Sequence, residues 1–181
     1  MPDHVSKIFA GLFAVMLIFS GSHVLAGDVD IGTVEKNGMH INAVYIQPIP
    51  VDPVLPGMRR GADSDMHLEA DIHAGKDNRQ GFHAGSWMPY LGITYVITKQ
   101  RSNWSTKGNL MPMAASDGPH YADNVKLNGP GEYHLRYHIT PPSTNGFLRH
   151  TDKETGVDQW WQAFDLDWDF IFVGVGRKGG Y

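Results

Sequence analysis

Three stretches of this chain alternate between apolar and polar residues: "MHLEADIHA" at 66–74, "GEYHLRYHIT" at 131–140 and "FDLDWDF" at 164–170, where the apolar row runs on to Phe172. A period of two puts successive side chains on opposite faces of an extended strand and cannot build one apolar stripe on a helix. Met66, Leu68, Ala70 and Ile72 form one such row, Tyr133, Leu135, Tyr137 and Ile139 a second, and Phe164, Leu166, Trp168, Phe170 and Phe172 a third. Rows of this kind need a second apolar sheet face to cover them.

The intervening segments supply turns. With 21 Gly and 11 Pro in 181 residues, the chain is punctuated too often for long helices, and no amphipathic helix of normal length is legible. "HINAVYIQPIPVDP" (40–53) reads as a strand running into a Pro-rich loop, and "MPYLGITYVITK" (88–99) as a β-branched and aromatic strand. "GNLMPMAASDGPHYADNVKL" (108–127) reads as a short strand followed by a turn. About seven strands between turn signals predict an all-β, antiparallel β-sandwich of immunoglobulin-like architecture.

The first 26 residues read as a signal peptide. Lys7 precedes the apolar run Ile8 to Ser20, and Val24 and Ala26 fit the small-residue pattern before a cleavage point at Gly27. The run is short for a bilayer crossing, which takes about 20 residues, so export is favoured over a retained anchor. Residues 27–181 then form a single exported domain with no membrane insertion of its own. A formal charge of −4 gives no basic footprint for nucleic acid. With no Cys, the chain has no disulfides, thiolate zinc sites or Cys nucleophiles, and any metal must use His, Met, carboxylate or backbone donors.

The polar row of 66–74 holds His67, Glu69, Asp71 and His73, which is either a solvated face or in part a metal site. His67 and Glu69 lie about 6.6 Å apart along one strand face, a spacing that suits one ion or two adjacent ones. His73 stands about 20 Å from His67, too far for the same ion. Asp71 and His73 are therefore read as ordinary surface. So are His134 and His138, on the polar face of a strand, while His83 lies in a Gly-rich loop. In "MPMAASDGPHY", Met111 and Met113 lead through a turn to His120. Thioether sulfur selects copper, above all Cu(I), although Met more often fills a core. The two Met share a strand parity, so spacing does not separate them. His150, flanked by Asp152 and Glu154 on a loop, is a third candidate.

"HLEADIHA", "MPMAASDGPHY" and "RHTDKETGVDQWW" together resemble the FetP-like periplasmic proteins of bacterial iron uptake, a group that includes the treponemal pathogen-specific antigen. The resemblance implies an immunoglobulin-like homodimer with a copper site near its interface. It places that site on His67, Met113 and His120, completed by His150 from the other subunit. It associates Glu69 with a neighbouring position for iron, the ion to be transported, beside an inner-membrane Ftr-type permease. Where the family pattern leads to "GME", this chain reads "GMH", so His40 replaces a carboxylate with an imidazole.

The resemblance favours a copper-dependent, metal-binding transport protein of the periplasm over a turnover enzyme. Two other readings stand beside it. One is a ferroxidase-like copper oxidoreductase, although without Cys a blue-copper centre is excluded. The other is a metal-free binding module using Trp87, Tyr90, Trp160 and Trp161 as a platform.

Overall fold

The computed structural model describes residues 27–175; the expected signal peptide, 1–26, lies outside the described residues. Eight antiparallel strands form one continuous sheet: β1 (Val29–Lys36), β2 (Met39–Ile46), β3 (Met66–Ala74), β4 (Gly92–Lys99), β5 (Ser105–Ala115), β6 (Gly118–Val125), β7 (Gly131–Thr140) and β8 (Phe164–Phe172). Their spatial order is β1-β2-β3-β6-β5-β4-β7-β8. Among the described residues the helical content is two short 3-10 turns, Gly61–Asp63 and Pro142–Asn145.

The sheet doubles over into a sandwich because β5 belongs to both halves. Its residues 105–110 pair with β4, whereas Met111 to Ala115 pair with β6. The apolar rows then meet face to face. Ile41, Leu68, Ala70, Ile72, Ile97, Leu135, Tyr137 and Ile139 are all fully buried between the halves. The end strands β1 and β8 come back together at Gly32, where the Trp168 indole occupies the space a side chain would need.

The expected alternations hold in all three diagnostic strands, and β7 and β8 keep their polar partners outside. There His134 faces Asp169, Arg136 faces Asp167 and His138 faces Asp165 across the strand pair. Boundaries differ from expectation where turn chemistry intrudes. The strand expected from residue 88 begins at Gly92, after Tyr90 adopts a left-handed backbone with φ of 61°. The short strand expected near Met111 is the C-terminal part of the 11-residue β5. Strand β1 was not among the segments read from the sequence; Gly32 interrupts its alternation at a register shift.

One departure shapes the site. One end of the outer face of the β2-β3-β6 half is not solvated. Val44, Ile46, His67, His120, Ala122 and Asn124 are all buried there, although each points away from the sandwich core. The Pro-rich segment 47–60 crosses this face as a strap. Its two ends are pressed together at Gly61, where an added Cβ would lie 2.5 Å from the Ile49 carbonyl oxygen.

Gly32→Ala is expected to lower stability by about 1–3 kcal/mol, because its methyl would overlap the Trp168 ring. Urea unfolding at equilibrium measures this, and an unchanged midpoint would contradict the packing at the β1–β8 seam.

Candidate metal centre

Strands β3 and β6 bring their donors together by register. His67 pairs with Asn124 and Glu69 with Ala122, so their side chains share the outer face. On the other side of β6, Met113 pairs directly with His120. Directly opposed residues of an antiparallel pair project to the same face. The register therefore separates what spacing could not: Met113, rather than Met111, stands opposite His120, while Met111 stands opposite Ala122.

His67, Glu69 and His120 offer one donor atom each, and these atoms lie within 4.8 Å of one another. Two donors on a single ion, each at about 2.0–2.2 Å, stand at most about 4.4 Å apart. Three donors so spaced lie at most about 2.8 Å from a common centre, so an inward shift of well under 1 Å by each lets the three share an ion. The His67 and His120 rings meet edge to face with centroids 6.2 Å apart.

The orientation of His67 is fixed from behind. The Asn124 amide donates through Nδ2 to the Ile49 carbonyl at 2.8 Å and to the Arg59 carbonyl at 3.3 Å. Its Oδ1 is thereby left to face His67 Nδ1 at 3.0 Å, where it can only accept. Nδ1 therefore carries the proton, and the Nε2 lone pair points into the site. Both His67 Nε2 and His120 Nε2 are buried without a hydrogen-bond partner. A buried polar atom left unpaired costs about 1–3 kcal/mol, and two side by side, next to a carboxylate, fit a cation.

The electrostatics agree. Burial pushes the His67 imidazole down to about 4, keeping it neutral at physiological pH, as a ligand must be. Burial, followed by the charges of Asp71, Asp28 and Asp117, pushes the Glu69 carboxyl up to about 8. The Glu69 oxygen lies 3.8 Å from His67 Nε2. A carboxylate penalised for ionising is relieved by an adjacent cation.

Beyond the cluster an open cleft of about 550 Å³ is lined by Asp28, His40, Glu69, Asp71, Asp117 and His120, among others. Asp71, expected as ordinary surface, belongs to this cleft; it is half-buried, and burial raises its carboxyl. His73 also lines the cleft, away from the His67 cluster. His40 stands at the rim, half exposed and 2.6 Å from a Glu35 oxygen.

His150 is not brought to the cluster within the chain. It projects from the loop 147–163, with its side chain 74% exposed. That loop is nonetheless tightly built. The Thr155 hydroxyl donates to Asp152 Oδ2 and so accepts from His150 Nδ1, at 2.7 Å. Asp152 also accepts from the backbone N–H groups of Glu154 and Thr155. The chain from Asp152 through Thr155 leaves His150 Nε2 as an outward-facing lone pair. The Trp side chains go to packing instead: Trp160 is 8% exposed and Trp87 stacks on Tyr121. They do not form an exposed platform.

Residues 25–174 match the family model described as Fe2+ transport protein. The chain is 52% identical over 148 residues to a UPF0423 protein of Brucella abortus, covering 80% of each. It is 36% identical over 135 residues to the 34 kDa membrane antigen of Treponema pallidum, covering 72% of this chain and 66% of that one. Among solved structures, FetP of uropathogenic Escherichia coli strain F11, recombinantly expressed in the periplasm of E. coli, shares 47% identity. The match covers 82% of this chain and 98% of FetP with a TM-score of 0.78. Copper-reconstituted P19 of Campylobacter jejuni shares 43% identity, covering 83% of this chain and 99% of P19 with a TM-score of 0.80. Fold, site and sequence together define a β-sandwich protein of bacterial iron handling. The chain belongs to the Fe2+ transport protein family.

The metal-free protein is expected to show opposed pH dependences from its two central groups. A folded carboxyl raised to about 8 costs stability as pH climbs from 4.5. A folded imidazole lowered to about 4 costs stability as pH falls below 6.5. Glu69→Gln should therefore raise the melting temperature by a few degrees at about pH 8.5 and change little near pH 4. Calorimetry in chelator checks this, and an equal shift at both pH values would contradict the buried, proton-retaining Glu69.

Proposed function

We propose that the protein is a periplasmic, copper-binding component of iron uptake that works as a homodimer and delivers iron to an inner-membrane permease. The observation that carries this reading is the pair of buried, unpartnered imidazole nitrogens of His67 and His120 beside the half-buried Glu69. Neutral imidazoles and a thioether hold copper in either oxidation state, and Met113 stands opposite His120 to supply the sulfur. Copper-bound structures of FetP and P19 support the choice of metal.

His150 is the fourth ligand in this reading and is contributed across the dimer. Its exposure, its Thr155-fixed ring and the neighbouring Leu148, 87% exposed, suit a loop that is covered by a second copy. A large apolar side chain left in water at a loop tip marks a contact surface. Glu69 and the acidic cleft hold iron, the cargo, on the oxygen-rich side, where a hard cation finds its preferred donors. His40 at the rim adds a nitrogen to that side and shifts its preference toward softer ions. The copper supplies redox chemistry when bound. The chain's own residues orient the donors, keep both imidazoles neutral and exclude water from one side of the site through the strap. A site closed behind and open toward an acidic cleft suits an ion that is held and handed on, which supports the transport reading.

The wild-type protein is expected to bind about one copper per subunit, and His67→Ala or Met113→Ala to abolish it, by metal analysis after dialysis. Equal copper in those variants would contradict the assigned ligands. Mixed subunits carrying His67→Ala and His150→Ala should recover binding that neither has alone; no recovery would contradict donation across the dimer. Asn124→Ala should weaken copper about 10–100-fold by freeing the His67 ring, while leaving the stoichiometry unchanged.

A further inference from the structure

A second cleft, separate from the metal cluster, opens where β5 parts from β6. Below Met111 and Ala122 the two strands no longer pair, because β5 has crossed to β4. The gap forms a recess of about 440 Å³ between the two halves of the sandwich, with the end of the strap at its mouth. Recesses of about 300–1,000 Å³ accommodate small organic ligands.

Its walls are uncommonly polar for a gap between sheets. Asp123 points inward from β6, opposite in direction to His120 and Asn124, and is 8% exposed. Its Oδ2 accepts a hydrogen bond from the Tyr95 hydroxyl at 2.9 Å, but its Oδ1 is buried with no partner. The phenol reaches Asp123 because residue 108, directly across from Tyr95, is glycine; a Cβ there would lie 2.6 Å from the Tyr95 oxygen. An acceptor is thus held in place and left without a donor.

The rim carries cations in a chain whose net charge is −4. Arg59, Arg60 and Lys107 line the recess with no ion pair among the described residues, whereas Lys126 is occupied by Asp65 at 2.7 Å. Asp63 is the other unpaired carboxylate in the lining. The Arg59 charge acts on both Asp123 and Tyr95, drawing each down against the effect of burial. A ligand for this recess must bring negative charge to the rim and a hydrogen-bond donor to the wall.

We propose that the recess binds a small hydroxycarboxylate, its carboxylates held by Arg59, Arg60 and Lys107 and its hydroxyl donating to Asp123 Oδ1. Planar guanidinium groups suit carboxylates, and the single hydroxyl distinguishes this ligand from a plain dicarboxylate. The assignment does not depend on the metal reading, since Asp123 and the copper ligands lie on opposite faces of β6.

The test uses L-malate and succinate, which differ by one hydroxyl, titrated calorimetrically into the metal-free mature protein. Malate is expected to bind at least about tenfold more tightly than succinate, the loss associated with one hydrogen bond to a charged acceptor. Arg59→Gln and Lys107→Gln should each weaken malate several-fold. His120→Ala should leave malate binding intact while removing copper, which separates this site from the metal centre. His67→Ala is unsuitable, since Asn124 links that ring to the Arg59 carbonyl. Equal affinity for succinate, no loss in the two charge variants, or no saturable binding of malate would each overturn the proposal.

Discussion

The carboxamide of Asn124 holds the arrangement together. It lies on β6, which is buried on both faces from His120 to Val125, and it spends its hydrogen bonds on three separate pieces of chain. Its NH₂ grips the two ends of the Pro-rich strap, and its oxygen fixes the tautomer of His67. A strap rich in proline offers few N–H donors and cannot pair with the sheet as another strand would. Side-chain anchorage replaces the missing ladder. The result is a histidine sealed from water on one side, with its coordinating nitrogen aimed at His120 and Glu69.

This arrangement sets the chemical character of the site by burial. The same strap that orients His67 removes solvent from it, so the imidazole stays neutral and the neighbouring carboxyl resists ionisation. Two buried nitrogen lone pairs stand there beside a carboxyl that burial raises, a donor set suited to a cation. A bound cation satisfies the nitrogens and the oxygen together. The fold thus draws its stability from elsewhere, in the doubled sheet and its aromatic rows, and sets two buried, unpartnered imidazole nitrogens side by side at this site. Functional sites commonly break local rules in this way.

Much of the fold was legible because period-two alternation needs no tertiary information. The rows led by Met66, Tyr133 and Phe164 identified core faces that the structure confirms, and the absence of helical periodicity excluded bundles. The site was legible only in part. Alternation places His67 and Glu69 on one face but cannot say whether that face is covered, because the covering strap is aperiodic and Pro-rich. Asp71 was therefore misread as plain surface. The pairing of Met113 with His120 depends on a two-residue turn at Ser116 and Asp117, which fixes register in a way that spacing alone does not. Nothing in the local sequence around Asn124 marks it as the partner of His67, 57 residues away. Strand β1 escaped notice because Gly32 breaks its pattern, and that glycine is explained only by Trp168 at the far end of the chain.

In the proposed site, His67, Met113 and His120 converge on a single copper ion. Anomalous diffraction at the copper edge, from a crystal of the copper-loaded protein, tests this most directly. A peak is expected within coordination distance of His67 Nε2 and His120 Nε2, with His150 of a second copy approaching from the open side. A peak elsewhere, for instance on the exposed His134 and Asp169 pair, with none between the two buried imidazoles, would contradict it.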